Sequence, residues 1–503
     1  MKHPKRLEVY KSLESFVSLI VIICFLFFNL SCAINPVTGK EQFMLLTEKD
    51  EIELGRNVFP NAIWGSEGGG GEYKDERLRT YLEDIVNRIN QASHRPHLPC
   101  KFYIQNSSIP NAWAIPGYVA ITRGLLAELN NEAEFAFIMG HEIGHISARH
   151  SASHISYNIL MQVGLALLGL SLEGKEYSDL ILGVGVVGGT LLLLKYSRED
   201  ELEADRLGVY YMNKIGYDPN YAVEAHRTLK RAVDDYKRSV GEDSDDETIF
   251  GDLLSTHPRT RVRIDEIQRL IAISPKYPII GDGANGRYFQ TMISDLKRVN
   301  NIYRNYYDKA VIEFKRKNLY EAERLVSLAL QQDGTQAPFY ALYGFIHFKN
   351  KNYFEAERYF RYSLQLHDDY QPAVRGLGII SYHRANYYET INTLSRAISL
   401  FPEDINSRYY LGMSYYKLNN CFESLEHFKL FIQSRPNHPS VNGYMGMCYE
   451  KTGDIHSAYE SYKKQVEINP NNDIGRYASQ RLPVLKEIIE KEQEKEKNKK
   501  KKK

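Results

Sequence analysis

The chain has 503 residues, which is long enough for two large domains, since single domains commonly span about 100–200 residues. Its 64 lysine and arginine residues balance 63 aspartate and glutamate residues, for a formal net charge of +1. This balance gives no reason to expect a nucleic-acid partner. The five cysteines do not form a disulfide framework, although Cys421 and Cys448 are candidates for pairing in an oxidising compartment.

The N-terminus has the layout of an export signal. Residues 1–15 carry a basic segment, and residues 16–30 are almost wholly apolar. Such a stretch is short for a membrane-spanning helix but typical of the apolar core of a secretory signal. The sequence therefore predicts a signal peptide over residues 1–31; the alternative is an uncleaved inner-membrane anchor.

The end of this segment, Ser31-Cys32, resembles the lipobox of bacterial lipoproteins. The resemblance implies lipidation of Cys32 and attachment of the mature chain to a membrane through that lipid. Ala33, by the same resemblance, favours sorting to the outer membrane. The predicted location is the periplasmic face of the outer membrane.

Residues 141–145 read H-E-I-G-H and follow an apolar run compatible with a helix. In a helix, His141 and His145 share one side and are close enough to hold one metal ion. Glu142 points to the neighbouring side, where it is placed to take a proton from the attacking water. Zinc-dependent peptide hydrolysis is the leading interpretation; the alternative is a surface helix with two solvated histidines.

A catalytic zinc site needs a third protein ligand. The metzincin continuation fails, because Ala148 and Ser151 stand where glycine and histidine are required. An acidic run at residues 199–205 offers Glu201 as the ligand. Asp205, one helical turn later, is placed to accept the free N–H of a ligand histidine.

Other acidic, histidine and apolar features near these motifs also need an interpretation. Glu199 and Glu203 are competing ligand candidates, and His150 and His154 are expected to be ordinary helix histidines. The apolar stretches 155–170 and 180–194 favour a buried helical pair over a patch that contacts a membrane or apolar substrates. The acidic segment 241–247 is either a lid over the cleft or a solvated loop.

The C-terminal part repeats with a period of 34 residues. Gly344, Gly378, Gly412 and Gly446 follow this period, as do residues 322, 356, 390, 424 and 458. The period and the residue types match tetratricopeptide repeats, which stack helix pairs into a surface that binds peptides or proteins. We expect about five repeats over residues 305–474, a capping helix over 475–496 and a Lys-rich tail over 497–503.

The motifs together resemble those of the HtpX-like gluzincin metallopeptidases. The resemblance rests on the pentad followed by Arg149-His150, on S-R-E-x-E-x-E-A-D at 197–205, on N-A-W-A-I-P-G at 111–117, on the lipoprotein-like start at 32–39 and on T-H-P at 256–258. It covers about residues 32–275.

This resemblance implies a site with one Zn²⁺ per chain. It implies His141, His145 and Glu201 as ligands, Glu142 as general base and Asp205 as the partner of a ligand histidine. It also implies that His257 approaches the metal, as a regulatory ligand or as a donor to the transition state; the alternative is a plain loop histidine. Residues 113–122 would form an edge strand that pairs with extended substrate.

The predicted fold is mainly α: a zincin-type metallopeptidase domain with a small β-sheet over residues 32–280, a linker over 281–304, and an α-solenoid of repeats. The resemblance implies degradation, and assistance in assembly, of misassembled outer-membrane proteins, with the β-barrel assembly machinery as partner. The rival hypothesis is a non-catalytic chaperone or scaffold in which the repeats do the work and zinc is structural.

Overall fold

The computed structural model describes residues 32–65, 70–167, 196–240, 261–273 and 275–501. It divides into two compact units, Met1–Arg304 and Asn305–Lys503. Several predictions lie outside the described residues: the signal peptide over 1–31, the side chain of Cys32, the acidic segment 241–247, the apolar stretch 180–194 and His257.

The first unit is mainly helical. Its helices, in chain order, are α1 Glu48–Gly65, α2 Glu76–Ala92, α3 Arg123–Leu126, α4 Glu132–Ser147, α5 His150–Leu167, α6 Arg198–Lys214, α7 Tyr221–Val240, α8 Arg261–Ile273, α9 Gly286–Met292 and α10 Ser294–Ile302. A two-stranded ribbon, β1 Cys32–Ile34 and β2 Glu41–Phe43, precedes them. Helices with a small sheet are the predicted fold class, which the structure confirms.

Within the described part of this unit, the main sheet has three strands, β3 Cys100–Gln105, β4 Ala112–Ile115 and β5 Gly117–Thr122, in the order β3-β5-β4. The segment predicted as one edge strand over 113–122 is therefore a hairpin. Gly117 adopts φ +95° at its turn, a conformation that glycine reaches without steric cost. Of the two hairpin strands, β4 lies at one edge of the sheet, whereas β5 pairs on both sides.

Helix α4 runs through the core of the first unit. All of its side chains except Ile146 are buried, and Asn131 caps its N-terminus by accepting from the N–H of Glu134. It lies close against α6, because a Cβ added to Gly140 would come within 3.2 Å of the Cα of Gly208. This approach packs the second half of α4 against residues 204–208 of α6, one turn after Glu201.

The predicted linker over 281–304 is not a linker but part of the first unit. It contains α9 and α10, whose apolar side chains Phe289, Ile293, Leu296 and Val299 are almost fully buried. Their spacing of three and four residues is that of a helix with one buried face. The compact unit accordingly extends to residue 304 instead of ending near 280.

The second unit consists of five successive helix pairs and a long final helix. The pairs are α11 Asp308–Lys315 with α12 Leu319–Gln332, α13 Ala337–Lys349 with α14 Tyr353–Leu366, α15 Gln371–His383 with α16 Tyr387–Leu400, α17 Ile405–Lys417 with α18 Cys421–Ser434, and α19 Val441–Thr452 with α20 Ile455–Ile468. A short π-helical turn, Tyr303–Tyr307, precedes them.

The 34-residue period has a direct packing role. A Cβ on Gly344, Gly378, Gly412 or Gly446 would come within 2.8 Å of a large side chain on the second helix of the same pair. The equivalent aromatics Tyr320, Phe354, Tyr388 and Phe422 follow the same period but are at least 70% exposed. Inter-helix packing therefore explains the periodic glycines but not this aromatic row.

The final helix, α21 Asp473–Lys501, is longer than the predicted capping helix over 475–496 and takes in most of the Lys-rich tail. Glutamate and lysine are good helix formers. Pairs such as Lys491 with Glu487, at 2.6 Å and four residues apart, add support on the exposed surface. Within the described ranges, no helix is both long and apolar enough to cross a membrane.

Candidate metal centre

Three buried donors from two helices meet at the contact between α4 and α6. His141 and His145 lie on α4 and Glu201 on the first turn of α6, and one donor atom from each lies within 4.8 Å of the other two. The start of α6 is fixed by a capping box, in which Ser197 and Asp200 satisfy each other's backbone N–H. The structure thus brings together the three residues that the sequence predicted as metal ligands.

The separations within this cluster suit a zinc ion. His141 Nε2 lies 3.1 Å from His145 Nε2 and 3.7 Å from Glu201 Oε2, and His145 Nε2 lies 3.5 Å from Glu201 Oε1. Zinc–ligand bonds of about 2.0–2.1 Å in a tetrahedron place neighbouring donors about 3.3 Å apart. Burial also holds the pKa of His145 well below its usual value, which favours the neutral ring that binds metals.

His141 is held from behind by Asp205. Its Nδ1 lies 2.9 Å from Asp205 Oδ1, so its Nε2 faces the donor cluster. Asp205 in turn accepts two 2.7 Å hydrogen bonds from Arg263 on α8. Burial raises the pKa of Asp205, but the charges and hydrogen bonds of Arg263, His226 and His141 together outweigh this effect and hold that pKa well below its usual value. The carboxylate therefore stays ionised and orients the ring.

Arg263 also contacts the predicted glutamate ligand. Its Nη1 lies 2.5 Å from Glu201 Oε2, and its side chain is almost fully buried. His226 on α7 adds a further contact to Asp205, at 3.3 Å. Sequence reasoning found neither residue, since no spacing rule links α7 or α8 to the pentad.

His145 is enclosed by aromatic and histidine side chains. The ring of Tyr196 stacks on it with centroids 3.9 Å apart, and Tyr196 is itself anchored to Ser151 through its hydroxyl at 2.9 Å. The Nδ1 of His145 lies 2.9 Å from the Nδ1 of His150. His150, expected to be an ordinary helix histidine, lies at the start of α5 and contacts a predicted metal ligand.

Glu142 lies in a small cleft beside this cluster. The cleft is lined by His141, Glu142, His226 and Arg263, by the apolar side chains Leu125, Phe137, Ile138, Ala225 and Leu229, and by Asn111 and Ala112 at the start of β4. The carboxyl group predicted as general base and the sheet edge predicted to bind substrate thus border one cleft.

The competing acidic candidates lie elsewhere. Glu203 contacts His150 at 3.1 Å, and this hydrogen bond lowers the pKa of Glu203. Glu199 is exposed on the first turn of α6. Among the described residues, the cluster of His141, His145 and Glu201 is the one group with metal-binding geometry.

Comparison with known proteins agrees with this arrangement. Residues 76–271 match peptidase family M48, and residues 406–438 match the tetratricopeptide repeat. Over 34% of its length the chain is 33% identical to Mitochondrial metalloendopeptidase OMA1 of Arabidopsis thaliana, and over 46% it is 31% identical to the Schizosaccharomyces pombe protein of that name. Over 32% it is 28% identical to the Putative beta-barrel assembly-enhancing protease of Vibrio cholerae.

The chain spans between 31% and 64% of the length of these three relatives. The matched M48 segment contains all residues of the cluster, together with Glu142, Asp205 and Arg263. The predicted resemblance to metallopeptidases with C-terminal tetratricopeptide repeats is thereby confirmed.

Proposed function

Because the chain carries a peptidase family M48 domain and tetratricopeptide repeats, we propose that it is a zinc-dependent endopeptidase of the bacterial cell envelope. The observation that carries this proposal is the buried cluster of His141, His145 and Glu201, which borders the same cleft as Glu142. Three protein ligands beside a carboxylate base are the layout of a catalytic zinc site, whereas a structural site is closed by four ligands.

Each side chain of the site has its own role in the proposed reaction. His141, His145 and Glu201 would hold a zinc ion, which would act as a Lewis acid on the peptide carbonyl and on water. Glu142 accepts the proton of the attacking water. Asp205 holds His141 in the orientation that aims Nε2 at the cluster, and Arg263 fixes the carboxylates of both Asp205 and Glu201.

Substrate would bind as an extended strand beside β4. This strand is one of the two outer strands of the sheet, and its first residue, Ala112, lines the cleft that contains Glu142. An exposed strand edge offers N–H and C=O groups that pair with an extended peptide whatever its side chains. Such pairing suits unfolded substrates, which present free backbone.

The proposal also covers the compartment of the protein and its binding partners. The signal-like residues 1–31 and the lipobox-like Cys32 favour an exported, lipid-anchored protein at the outer membrane. The substrates would be misassembled outer-membrane proteins, as the name of the Vibrio cholerae relative suggests, and the repeats would recruit them or the assembly machinery. His257 remains a predicted regulatory ligand or transition-state donor.

The test compares zinc content and casein cleavage for the full chain and for Glu142→Gln. We expect one zinc per chain in both proteins and a loss of cleavage of roughly 10²–10⁴-fold in the variant, the usual contribution of a general base. Glu199→Gln is the matched control, because Glu199 is an exposed acid on α6, and it should cut like the wild type.

The rival chaperone hypothesis predicts a different result. With a purely structural zinc, the wild type and His257→Ala would both bind zinc and neither would cut casein. That outcome would contradict the proposed activity and leave the repeats as the working part.

A further inference from the structure

The helix that carries the pentad ends in a left-handed residue. Helix α4 stops at Ser147, Arg149 has φ +58°, and α5 begins at His150. If the helix continued without a break, the side chains of His145 and His150 would point to different sides of it. The break instead returns the His150 ring to His145, with centroids 5.0 Å apart at an interplanar angle of 71°.

Metal binding at the cluster would fix the tautomers of the two rings. The Nε2 of His145 faces His141 and Glu201, so a lone pair on that atom requires its proton on Nδ1. His150 Nδ1, at 2.9 Å, must then accept this proton's hydrogen bond, which leaves the proton of His150 on Nε2. That Nε2 lies 3.1 Å from Glu203 Oε2 and donates to it.

These contacts form a relay from His145 through His150 to a carboxylate. The contacts of His150 Nε2 are Glu203 and, at 3.5 Å, Asp200. His150 is only 3% exposed, and a hydrogen bond in such a dry setting is stronger than one in water. His150 thus contacts the Nδ1 of His145 in the same way that Asp205 contacts the Nδ1 of His141.

The turn that aims His150 is itself clamped. Arg149 donates to Glu51 at 2.6 Å and to the carbonyl of Leu46 at 2.7 Å. Arg95 donates to the other oxygen of Glu51 at 2.9 Å and to the carbonyl of Ile146 at 3.0 Å. These buried ion pairs hold a non-glycine residue in a backbone conformation that costs free energy, so the position of His150 is enforced by its surroundings.

We propose that His150 is a positioning residue that holds the ring of His145 in its metal-binding orientation through the hydrogen-bonded chain His145–His150–Glu203. This inference rests on the proposed zinc site and adds a residue that the pentad does not contain. Partners that orient ligand histidines typically contribute 10–100-fold to metal affinity.

The experiment measures zinc affinity of the full chain by competition with a fluorescent chelator at fixed pH. His150→Phe keeps the ring but removes both nitrogens, and we expect zinc binding to weaken 10–100-fold. His150→Asn keeps an acceptor near the position of Nδ1 but loses the link to Glu203, so it should recover part of this loss. His154→Phe is the matched control and should stay within threefold of wild type, because His154 contacts Asp200 and none of the cluster.

Glu203→Gln provides a second test that leaves His150 in place. Its side chain is about one-fifth exposed, so the variant should fold, and we expect a smaller, 2–10-fold loss of zinc affinity. Unchanged affinity in a folded His150→Phe, or an equal loss in His154→Phe, would overturn the proposal. If the wild type still binds zinc and cuts casein in that case, only the positioning role of His150 fails and the proposed function stands. If the wild type binds no zinc, the positioning role and the proposed function both fail.

Discussion

The candidate metal centre depends on charges buried far from water. Asp205 and Glu201 are both 1% exposed, and Arg263 contacts the two of them at once. A buried ion pair adds little net stability, but removing one partner leaves an uncompensated charge. Arg263 therefore has a structural effect that can be measured without zinc.

Replacing Arg263 by alanine should destabilise the first unit by about 3–5 kcal/mol, because the charge of Asp205 loses its main partner. Urea unfolding followed by tryptophan fluorescence measures this unit alone. The two tryptophans of the chain, Trp64 and Trp113, both lie within it. Arg206→Ala, an exposed arginine on α6, is the control and should change stability by no more than about 0.5 kcal/mol. Equal effects of the two variants would show that Arg263 is not part of the buried network.

At the scale of residues, sequence could predict contacts within helices but not those between them. The spacings of His141 with His145 and of Glu201 with Asp205 follow from helix geometry, so those pairs were accessible. The contacts of Arg263 and His150 could not be predicted in this way. Arg263 arrives from α8 by packing, and His150 depends on the left-handed conformation of Arg149, for which arginine gives no sequence signal.

At the scale of elements, the site exists because two helices approach closely. A Cβ on Gly140 would lie 3.2 Å from the Cα of Gly208, and a Cβ on Gly144 would lie 3.1 Å from the Cβ of Leu207 and 3.2 Å from the carbonyl oxygen of Ala204. A Cβ on Gly208 would lie 3.0 Å from the backbone nitrogen of His141. The position of α6, and with it Glu201, is thus set by small residues beside the ligands.

Gly208→Val should push α6 away from α4, since backbone atoms cannot move aside as a flexible side chain does. Valine is the better helix former, so propensity alone predicts a small gain in stability. Overpacking predicts instead a loss of about 1–3 kcal/mol, together with weaker zinc binding. Tryptophan-monitored unfolding and chelator competition measure the two effects.

Gly286→Ala serves as the control for this crossing. Its added Cβ would lie 3.5 Å from the Cβ of Asn131, an ordinary van der Waals distance, so stability and zinc affinity should both stay near wild type. A stabilised Gly208→Val with unchanged zinc affinity would mean that the close approach of α4 and α6 does not set the site.

Elements with a regular pattern were the easier ones to predict. The 34-residue period identified the repeats because each glycine recurs where two helices touch, and the structure shows these contacts. The helices α9 and α10 were missed, although Phe289, Ile293 and Leu296 follow helical spacing. Each helix is short, and nothing in the local sequence shows that its apolar face packs on the core of the first unit.

At the scale of the whole molecule, the boundary between the two units predicts which fragments of the chain fold by themselves. Phe289, Ile293, Leu296 and Val299 are almost fully buried in the first unit. At about 1.5–3 kcal/mol for each, their removal costs roughly 6–12 kcal/mol. That loss is comparable to the entire stability of a typical domain, about 5–15 kcal/mol.

A fragment that ends at residue 280 should therefore fail to fold, whereas one that ends at 304 should fold. The shorter fragment also loses Asn300 and Tyr303, which contact the fully buried Arg123 through a hydrogen bond and a stacked ring. We expect residues 33–304 to unfold cooperatively in urea, to bind one zinc and to cut casein within about threefold of the full chain, since every residue of the cluster lies in this unit. Residues 33–280 should show tryptophan emission typical of an unfolded chain. A folded, zinc-binding fragment 33–280 would restore the boundary that the sequence suggested and make α9 and α10 a linker after all.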